Sequence, residues 1–359
     1  MRRLFEDIGE LVLEPQSWPQ VLDRICSAAN AEGAMLVQGR SRTSGTPRTA
    51  SMEEGVRFYF DHGWHERDLL ARGIPMLLRG EKAYVTQDVV SPDEMQNEAF
   101  FHEVLYRHRQ RWSAVVRVAA GSALWCVSLH RSTRQSAFEA DDRPFLASLS
   151  DRLTETATLS AMVGQVALTS SLNALELVRR PAIAIDCFGN ILDSNAAAEA
   201  MFDEELRVHM RRLVVNDAKA QSELTVLFAR LRLSQELAGV AFDAIIVRKK
   251  NGLPTFIRPV PISGPARSPF LGACALLIFA DCSRREPPNV ALLARTFALS
   301  PSEARTAALL AKGLSIEESA QAAGLSRETI KSQLKTIFAK TGVRRQTSLI
   351  ALLTSLPEL

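Results

Sequence analysis

Basic side chains recur at helical spacing near the carboxyl end of this 359-residue chain. Arg327, Lys331 and Lys335 are each four residues apart, and Lys340 follows them. Residues four apart share one face of an α-helix, and three hydrogen-bonding side chains fall on the same face: Glu328, Ser332 and Thr336. Such a surface can bind phosphate oxygens and the edges of nucleic-acid bases. Because a Lys-rich helix face is more often merely solvated, the surrounding elements must decide between the two interpretations.

The opposite face of this segment is apolar. Four residues recur at i, i+4, i+7 and i+8: Ile330, Leu334, Ile337 and Phe338. This spacing is typical of a helix that packs one face on a core. Ser326 is a suitable N-cap and Gly342 a suitable stop, so the sequence predicts a helix over residues 326–341.

Two more helices are predicted just before it. A serine followed three residues later by a glutamate, the signature of a capping box, occurs at Ser300 and at Ser315. Gly313 and Gly324 supply the stops. Only Gly324 and Leu325 separate the second helix from the N-cap of the third. A Gly-containing turn this short sets two helices at a steep angle, as a helix-turn-helix unit requires.

On these residues, the segment 299–353 resembles the LuxR/GerE-type (also FixJ/NarL-type) four-helix DNA-binding domain. The matching motifs are Leu-Ser-Pro-x-Glu at 299–303, Leu-x-x-Gly-Leu-Ser at 310–315, Gly-Leu-Ser at 324–326, Thr-Ile-Lys at 329–331, Ile-Phe-x-Lys at 337–340 and Gly-Val at 342–343. The resemblance implies that residues 295–359 form an all-α domain whose third helix enters the major groove of double-stranded DNA. A fourth helix, at about 346–356, would make a dimer contact.

The resemblance also assigns roles within the third helix. Lys331, Ser332 and Lys335 are expected at base edges, with Arg327 and Glu328 close by, Thr329 and Gln333 on phosphates, and Lys340 on the same basic face. Lys and Arg commonly read guanine, so a G-containing half-site is expected. Residues 290–359 carry nine Lys or Arg against five Asp or Glu, whereas the whole chain has a net charge of only +3. The positive charge is therefore concentrated where DNA would lie.

Four positions depart from the family pattern. Gln333 stands where the family usually has His, Ser319 where it has an aliphatic residue, and Ala323 and Thr341 where it has Leu. Gln333 keeps the ability to hydrogen-bond. The other three would shrink or polarise a small core, so this domain is expected to be marginally stable without its neighbours.

Length and composition suit a globular protein of several domains, and the predicted modules together make the predicted class multidomain α+β. A chain of 359 residues predicts two or three domains, and 47% hydrophobic residues provide ample core. No signal peptide or membrane-spanning stretch is apparent, so a cytoplasmic location is expected. The cysteines form no C-x-x-C pair and are expected to be buried thiols rather than ligands or disulfides: Cys26, Cys126, Cys187, Cys274 and Cys282.

Residues 1–140 are predicted to form a sensory α/β domain. A helix at about 19–31 precedes an apolar run at 34–37, and two alternating runs, 113–119 and 123–130, are joined in hairpin fashion by residues 120–122. This order, followed by a long helix, resembles a GAF domain.

The middle of this region is rich in aromatic residues. Tyr59, Trp64 and Asp68 resemble the residues that hold an acyl-homoserine lactone in quorum-sensing relatives, although Leu69 stands where those relatives have Pro. With Trp112, they form the predicted small-molecule pocket. The alternative is that these aromatics belong to the core. Four histidines lack metal-ligand spacing, so no metal site is predicted: His62, His65, His102 and His108.

A connecting helix is predicted at 141–171, within a Gly-poor stretch that extends to about 178 and with a break near 169–171. Its apolar stripe would pair with the same helix of a second copy or pack on its own domain, and the sequence leaves both open.

Residues 172–283 resemble a PAS domain. The similarity rests on a strand at 181–186, a turn at Gly189, a partner strand at 191–195 and a helix that starts at Ala196. Later strands are predicted at 242–249, 255–262 and 273–279, with a turn at 251–252, giving an antiparallel sheet with helices on one side. No residue here specifies haem or flavin, so no cofactor is predicted. A Pro- and charge-rich linker is expected at 284–294.

Motifs for catalysis are missing: the sequence has no phosphate-binding loop, nucleophile elbow, His-Glu-x-x-His or receiver-domain pattern. The expectation is a homodimeric, non-enzymatic DNA-binding regulator whose GAF-like and PAS-like modules respond to a small molecule or another signal. The alternative is an interaction hub, in which degenerate sensor modules bind a partner protein and gate the DNA-binding domain without a small ligand.

Overall fold

A computed structural model describes residues 2–38, 46–121, 123–233, 241–250, 253–281 and 289–354. The described residues fall into two compact units, one within Met1–Val247 and Ile257–Phe279, the other within Arg248–Phe256 and Ala280–Leu359. Predictions made for Ser122, for the turn at 251–252, for Cys282 and for residues 284–288 of the linker lie outside the described residues.

The first part of the first unit, up to residue 142, joins short helices to four strands. Its helices are α1 (Arg2–Glu10), α2 (Trp18–Ala29), α3 (Glu53–Asp61), α4 (Ile74–Leu78), α5 (Thr86–Val89) and α6 (Pro92–Asn97). Single turns of 3-10 helix lie at Pro15–Ser17, Ala50–Met52, Trp64–Glu66, Leu69–Gly73 and Ala140–Asp142, and a π-helical turn lies at Phe101–Tyr106. The strands are β1 (Gly33–Gln38), β2 (Ala83–Val85), β3 (Gln110–Ala120) and β4 (Ala123–Ser132).

These strands form one sheet in the order β1-β4-β3-β2, and every neighbouring pair is antiparallel. The predicted hairpin of β3 and β4 is confirmed, with Ala120 opposite Ala123. The antiparallel pairing makes this region α+β, so the prediction of an α/β domain is wrong in this respect. Parallel strands need long crossover connections, and the two-residue connection between β3 and β4 allows only an antiparallel pair.

The two faces of this sheet are buried against different elements. Alternate residues of a strand point to opposite faces, so Val127 and Leu129 of β4 pack on α1, α2 and the long helix α7 (Arg143–Leu177). Their neighbours Cys126, Ser128 and His130 face the other way, toward α3 and the π-helical turn. Burial on both faces explains the nearly continuous apolar runs of these strands.

The second part of the first unit contains a five-stranded sheet in the order β6-β5-β11-β10-β9 and a separate β7-β8 hairpin. The strands are β5 (Ala182–Asp186), β6 (Ile191–Ser194), β7 (Leu206–His209), β8 (Arg212–Val215), β9 (Ile245–Val247), β10 (Thr255–Pro261) and β11 (Ala273–Asp281). Two helices, α8 (Ala196–Glu199) and α9 (Ala218–Leu233), and a 3-10 turn at Gly264–Arg267 accompany them. All five strands predicted at 172–283 are present, with ends shifted by a few residues.

Both parts share the helix α7, which is continuous. The predicted break at 169–171 is wrong, because the serines and threonine there fit a helix: Ser171 donates to the carbonyl of Ala167 at 2.9 Å. The amino-terminal half of α7 buries Leu149 and Leu153 against the first sheet. The carboxyl-terminal half buries Leu168 and Leu172 on the face of the second sheet opposite α8 and α9. The prediction of helices on only one side of that sheet is therefore also wrong.

The second unit consists mainly of helices: α10 (Val290–Thr296), α11 (Pro301–Ala311), α12 (Ile316–Ala323), α13 (Arg327–Thr341) and α14 (Gln346–Thr354). The capping boxes predicted at Ser300 and Ser315 are both formed. Gly324 and Gly342 end α12 and α13 in the left-handed conformation that favours glycine (φ 65° and 75°). The predicted linker is too long, because α10 begins at 290 and buries Leu293 in the core of this unit.

Two predictions from composition concern the cysteines and membrane-spanning helices. None of the four described cysteines forms a disulfide, and Cys26, Cys126 and Cys274 are buried as expected. None of the helices in the described ranges combines the length and apolar character that crossing a bilayer requires.

A substitution at Gly164 tests the packing of α7. A Cβ at this position would lie 2.8 Å from the carbonyl oxygen of Pro265 and 3.3 Å from the Cβ of Ser268. In an open helix, Gly→Ala stabilises by about 1 kcal/mol. Here we expect Gly164→Ala to lower the free energy of unfolding instead, by about 1–3 kcal/mol, because the backbone contact is overpacked. Thermal unfolding followed by circular dichroism measures the change, with the exposed neighbour Gln165→Ala as the control. A higher melting temperature for Gly164→Ala would contradict this packing.

Candidate nucleic-acid interface and ligand cavity

The helix α13 presents the basic face that the sequence predicts. Ser326 caps its first turn, with the backbone N–H of Thr329 donating to Ser326 Oγ at 3.1 Å. The predicted apolar stripe is buried or half-buried in the core of the second unit. Seven polar side chains remain exposed on the other side: Arg327, Glu328, Lys331, Ser332, Lys335, Thr336 and Lys340.

Three of these cations form surface ion pairs. Arg327 lies 2.8 Å from Glu317, Lys331 lies 2.8 Å from Glu328, and Lys340 lies 2.7 Å from Glu303. Exposed pairs of this kind contribute at most about 1 kcal/mol and weaken in salt, so a phosphate can replace the carboxylate.

Lys335 differs from the other cations. It is exposed and has no acidic partner among the residues that the structure describes. Its ammonium therefore needs no bond to be broken before it contacts a base or a phosphate.

Lys340 also has a second role. Its ammonium lowers the pKa of Glu303, the carboxylate that closes the capping box of α11. The contact joins the end of α13 to the start of α11, so Lys340 helps to orient the basic face as well as to charge it.

Gln333 lies between two helices, not on the exposed face. Its Oε1 accepts from the Thr306 hydroxyl, and its Nε2 donates to Ser302 Oγ at 2.8 Å. Both partners belong to α11. The Gln333 amide thus fixes α13 against α11. The sequence predicted only a phosphate contact for this residue and not this role between helices. Thr329 is half-buried, and its Oγ1 lies 2.8 Å from Ser326 Oγ.

Not every residue that departs from the family pattern affects the core. Ser319 is fully buried, and its hydroxyl has no hydrogen-bond partner among the described residues. It therefore places an unsatisfied polar group in the core, in line with the expectation. Thr341 is half-buried and donates to the carbonyl of Ile337 at 2.7 Å. Ala323 is exposed, so the expectation that it shrinks the core is wrong.

A cavity of about 80 Å³ lies in the first unit, between the first sheet and α3 with the π-helical turn. This space can hold several waters or a small ligand. Most of its lining is apolar, and the main polar side chains at the lining are Tyr59, Asp68, Tyr84, His108, Gln110, Ser128 and His130.

Two of the four predicted pocket residues reach this cavity. Tyr59 Oη donates to Asp68 Oδ2 at 2.9 Å, and the N–H of Leu70 donates to Asp68 Oδ1 at 2.9 Å. Trp64 is buried beside Phe100 and does not line the cavity. Trp112 does not line it either and lies under the guanidinium of Arg111, 4.8 Å away. Both tryptophans are core residues here, the alternative that the sequence left open.

Sequence reasoning missed the two histidines of the cavity. His130 is buried, with Nδ1 3.1 Å from Ser113 Oγ and Nε2 2.9 Å from Ser128 Oγ. His108 lines the cavity with a buried Nε2 that has no partner within the described ranges. The alternation of β4 could have placed Ser128 and His130 on one face, but nothing in the sequence indicates which face encloses space.

Burial controls the charge of both histidines. It lowers the pKa of His130 to about 4, against the opposing effect of the Asp68 carboxylate. Burial also lowers the pKa of His108. Both imidazoles are therefore neutral near pH 7, and each can donate and accept one hydrogen bond. No group of His, Cys, Asp and Glu suited to a metal ion occurs in the part of the chain that the structure describes.

Comparisons with known proteins give only distant likenesses. No protein-family model matches the chain, and no curated protein matches it. Several solved structures are similar to parts of it, including the following three. A phage VqmA–DPO complex has 16% identity and a TM-score of 0.23, covering 54% of this chain and 94% of that one. The Escherichia coli DhaR(N)–DhaL complex has 10% identity and a TM-score of 0.25, covering 77% of this chain and 86% of that one. A Vibrio cholerae VqmA dimer, described as a LuxR-type receptor, has 15% identity and a TM-score of 0.21, covering 50% of this chain and 86% of that one. These TM-scores are too low for the likenesses to bear on function.

His130 predicts a pH dependence of stability. The folded pKa of about 4 lies below the usual 6.5, so the unfolded chain binds a proton first as the pH falls. The contribution of neutral His130 to the free energy of unfolding is fully present above pH 6.5. It is lost as the pH falls from 6.5 to 4, by up to about 3 kcal/mol. We expect the unfolding free energy of the first unit to fall over this window, and less so in His130→Gln. Urea unfolding at several pH values measures both. An equal pH dependence in the two proteins would contradict the prediction.

Proposed function

We propose that this protein is a DNA-binding transcriptional regulator without enzymatic activity, and that α13 is its recognition helix. The observation that supports this most is the exposed basic face of α13, held in place by capped helices and by the Gln333 bonds to α11. In this proposal the second unit is a LuxR-type helix-turn-helix domain, and Lys331, Ser332 and Lys335 meet base edges. On binding, Arg327 exchanges Glu317 for a phosphate, and Lys331 leaves Glu328 for a base edge.

The first unit is proposed to hold two sensor modules, a GAF-like one with the four-stranded sheet and a PAS-like one with the five-stranded sheet. The protein would act in the cytoplasm as a homodimer. Two recognition helices about 34 Å apart would then fit a pseudo-palindromic site, and a signal could act by changing that distance.

The cavity of the GAF-like module is proposed to bind a small, largely apolar, uncharged molecule. Its apolar lining disfavours a charged ligand, and the neutral His108 has a hydrogen-bonding atom available for a polar group. Asp68 already accepts from Tyr59 and from the backbone of Leu70, so a ligand would meet a preorganised carboxylate.

Lys335 and Gln333 separate two kinds of contribution to DNA binding. We expect Lys335→Ala to relax sequence choice by about 1–3 kcal/mol at the base that it reads. Gln333→Ala should weaken binding to all sequences about equally, because it loosens α13 on α11. Fluorescence anisotropy with selected genomic fragments and with scrambled DNA measures both effects.

Lys219→Ala, which removes one exposed charge from α9, is the control for net charge. It should leave both affinity and sequence choice almost unchanged. Equal binding of selected and scrambled DNA by the unmodified protein would overturn the proposed function.

Native mass spectrometry of the purified protein tests the cavity. A bound small molecule, released on denaturation and lost in a variant with the cavity filled by Val115→Phe, is the expected result. A ligand that persists in Val115→Phe binds elsewhere and contradicts the assignment. A protein that carries no molecule and is not stabilised by any small apolar compound would favour the interaction hub.

A further inference from the structure

The helix α7 carries an exposed apolar stripe on the side away from both sheets. Leu159, Met162, Val166 and Leu177 are 52%, 63%, 67% and 86% exposed. Together with the exposed Ser170 and Asn173, they recur every three to four residues over five turns, about 27 Å of helix. An exposed apolar patch of this kind often marks an interaction site.

This stripe is free of charge. No Asp, Glu, Lys or Arg occurs from residue 156 to residue 175. A solvated helix face normally carries charged side chains, and an interface to a highly charged partner would carry the opposite charge. The surface therefore fits a partner that is uncharged and apolar along the same length.

We infer that the stripe pairs with the same stripe of a second copy, with the two α7 helices parallel and in register. The inference rests on the homodimer within the proposed function and names its interface. Each exposed apolar side chain contributes roughly 100 Å², so a symmetric pair that includes the polar members would bury on the order of 1,000 Å². That reaches the lower limit of area expected of a biological interface.

The polar members favour the parallel orientation. In a parallel pair, Asn173 meets Asn173 of the second copy, and two amides can donate to and accept from each other. A single Asn in an apolar seam is known to fix register and strand number in this way. In an antiparallel pair centred on the stripe, Asn173 would lie beside apolar side chains and its amide would lose its hydrogen bonds, which costs about 1–3 kcal/mol.

The opposite face of α7 leaves the stripe available. Ser160, Gly164 and Leu168 are buried on that side, and Ser160 Oγ donates to Ser268 Oγ at 2.8 Å. These contacts hold the helix on its own protomer. Pairing therefore does not require α7 to leave its position.

Val166→Glu tests the interface in the full-length chain without DNA. Two carboxylates would meet in the seam, so we expect the dissociation constant of the dimer to rise by at least about tenfold. Sedimentation equilibrium would show the mass fall toward that of one chain, 39.5 kDa. The control is Ser171→Glu, which adds the same charge to the same helix about 140° away and should remain dimeric. Circular dichroism checks that both variants are folded.

Asn173→Cys tests the orientation without disturbing the fold. Parallel pairing in register predicts a disulfide between the two substituted positions under mild oxidation, identified by peptide mapping. Absence of this cross-link in a protein that is dimeric would overturn the parallel arrangement.

The outcomes separate this inference from the proposed function. A monomeric unmodified protein, a dimer that resists Val166→Glu, or equal dissociation by Ser171→Glu would each overturn the interface, and none of them bears on whether α13 binds DNA. A dimer that depends on Val166 but shows no sequence-selective DNA binding would overturn the proposed function alone.

Discussion

The first unit depends on the burial of one continuous stripe of α7. Leu149 and Leu153 complete the core of the four-stranded sheet, and Leu168 and Leu172 cover a face of the five-stranded sheet. Neither sheet can bury that face without this helix, so the two predicted modules are joined by a shared packed helix rather than by a linker. Small residues make the contact possible: Gly164 admits the backbone of Pro265, and Ala182 and Ala184 leave room on the second sheet. A change in either sheet is therefore felt along the same helix.

The second unit is stabilised differently, by hydrogen bonds at helix ends and between helices. Ser300, Ser315 and Ser326 satisfy the first turns of three helices, and Gln333 and Lys340 connect α13 to α11. A domain of this size has little apolar area to bury, and the unpartnered hydroxyl of Ser319 reduces what the core contributes. The orientation of α13 therefore depends on polar contacts, which are short-ranged and geometrically specific.

Local chemistry explains which features the sequence could predict. Capping boxes, glycine stops and the two-residue hairpin depend on residues close together in the chain, and these are present as predicted. The unbroken α7, the second layer on the five-stranded sheet and the start of α10 depend on contacts between distant residues, which local patterns do not encode. The pocket shows the same division. Tyr59 and Asp68 reach the cavity, but Trp64 and Trp112 do not, and His108 and His130 could be recognised only once the fold enclosed the space.

The four-stranded sheet places the cavity and α7 on opposite faces of the same strands. In β4, Ser128 and His130 border the cavity, while Val127 and Leu129 pack with α7. Adjacent residues of one strand cannot move independently, so a molecule that displaces His130 must either deform β4 or shift Leu129 against α7. Packed cores resist small displacements and respond by changing between discrete arrangements. Because the exposed stripe lies on α7 itself, occupancy of the cavity and pairing of α7 would be linked through this strand, without any element that changes its fold.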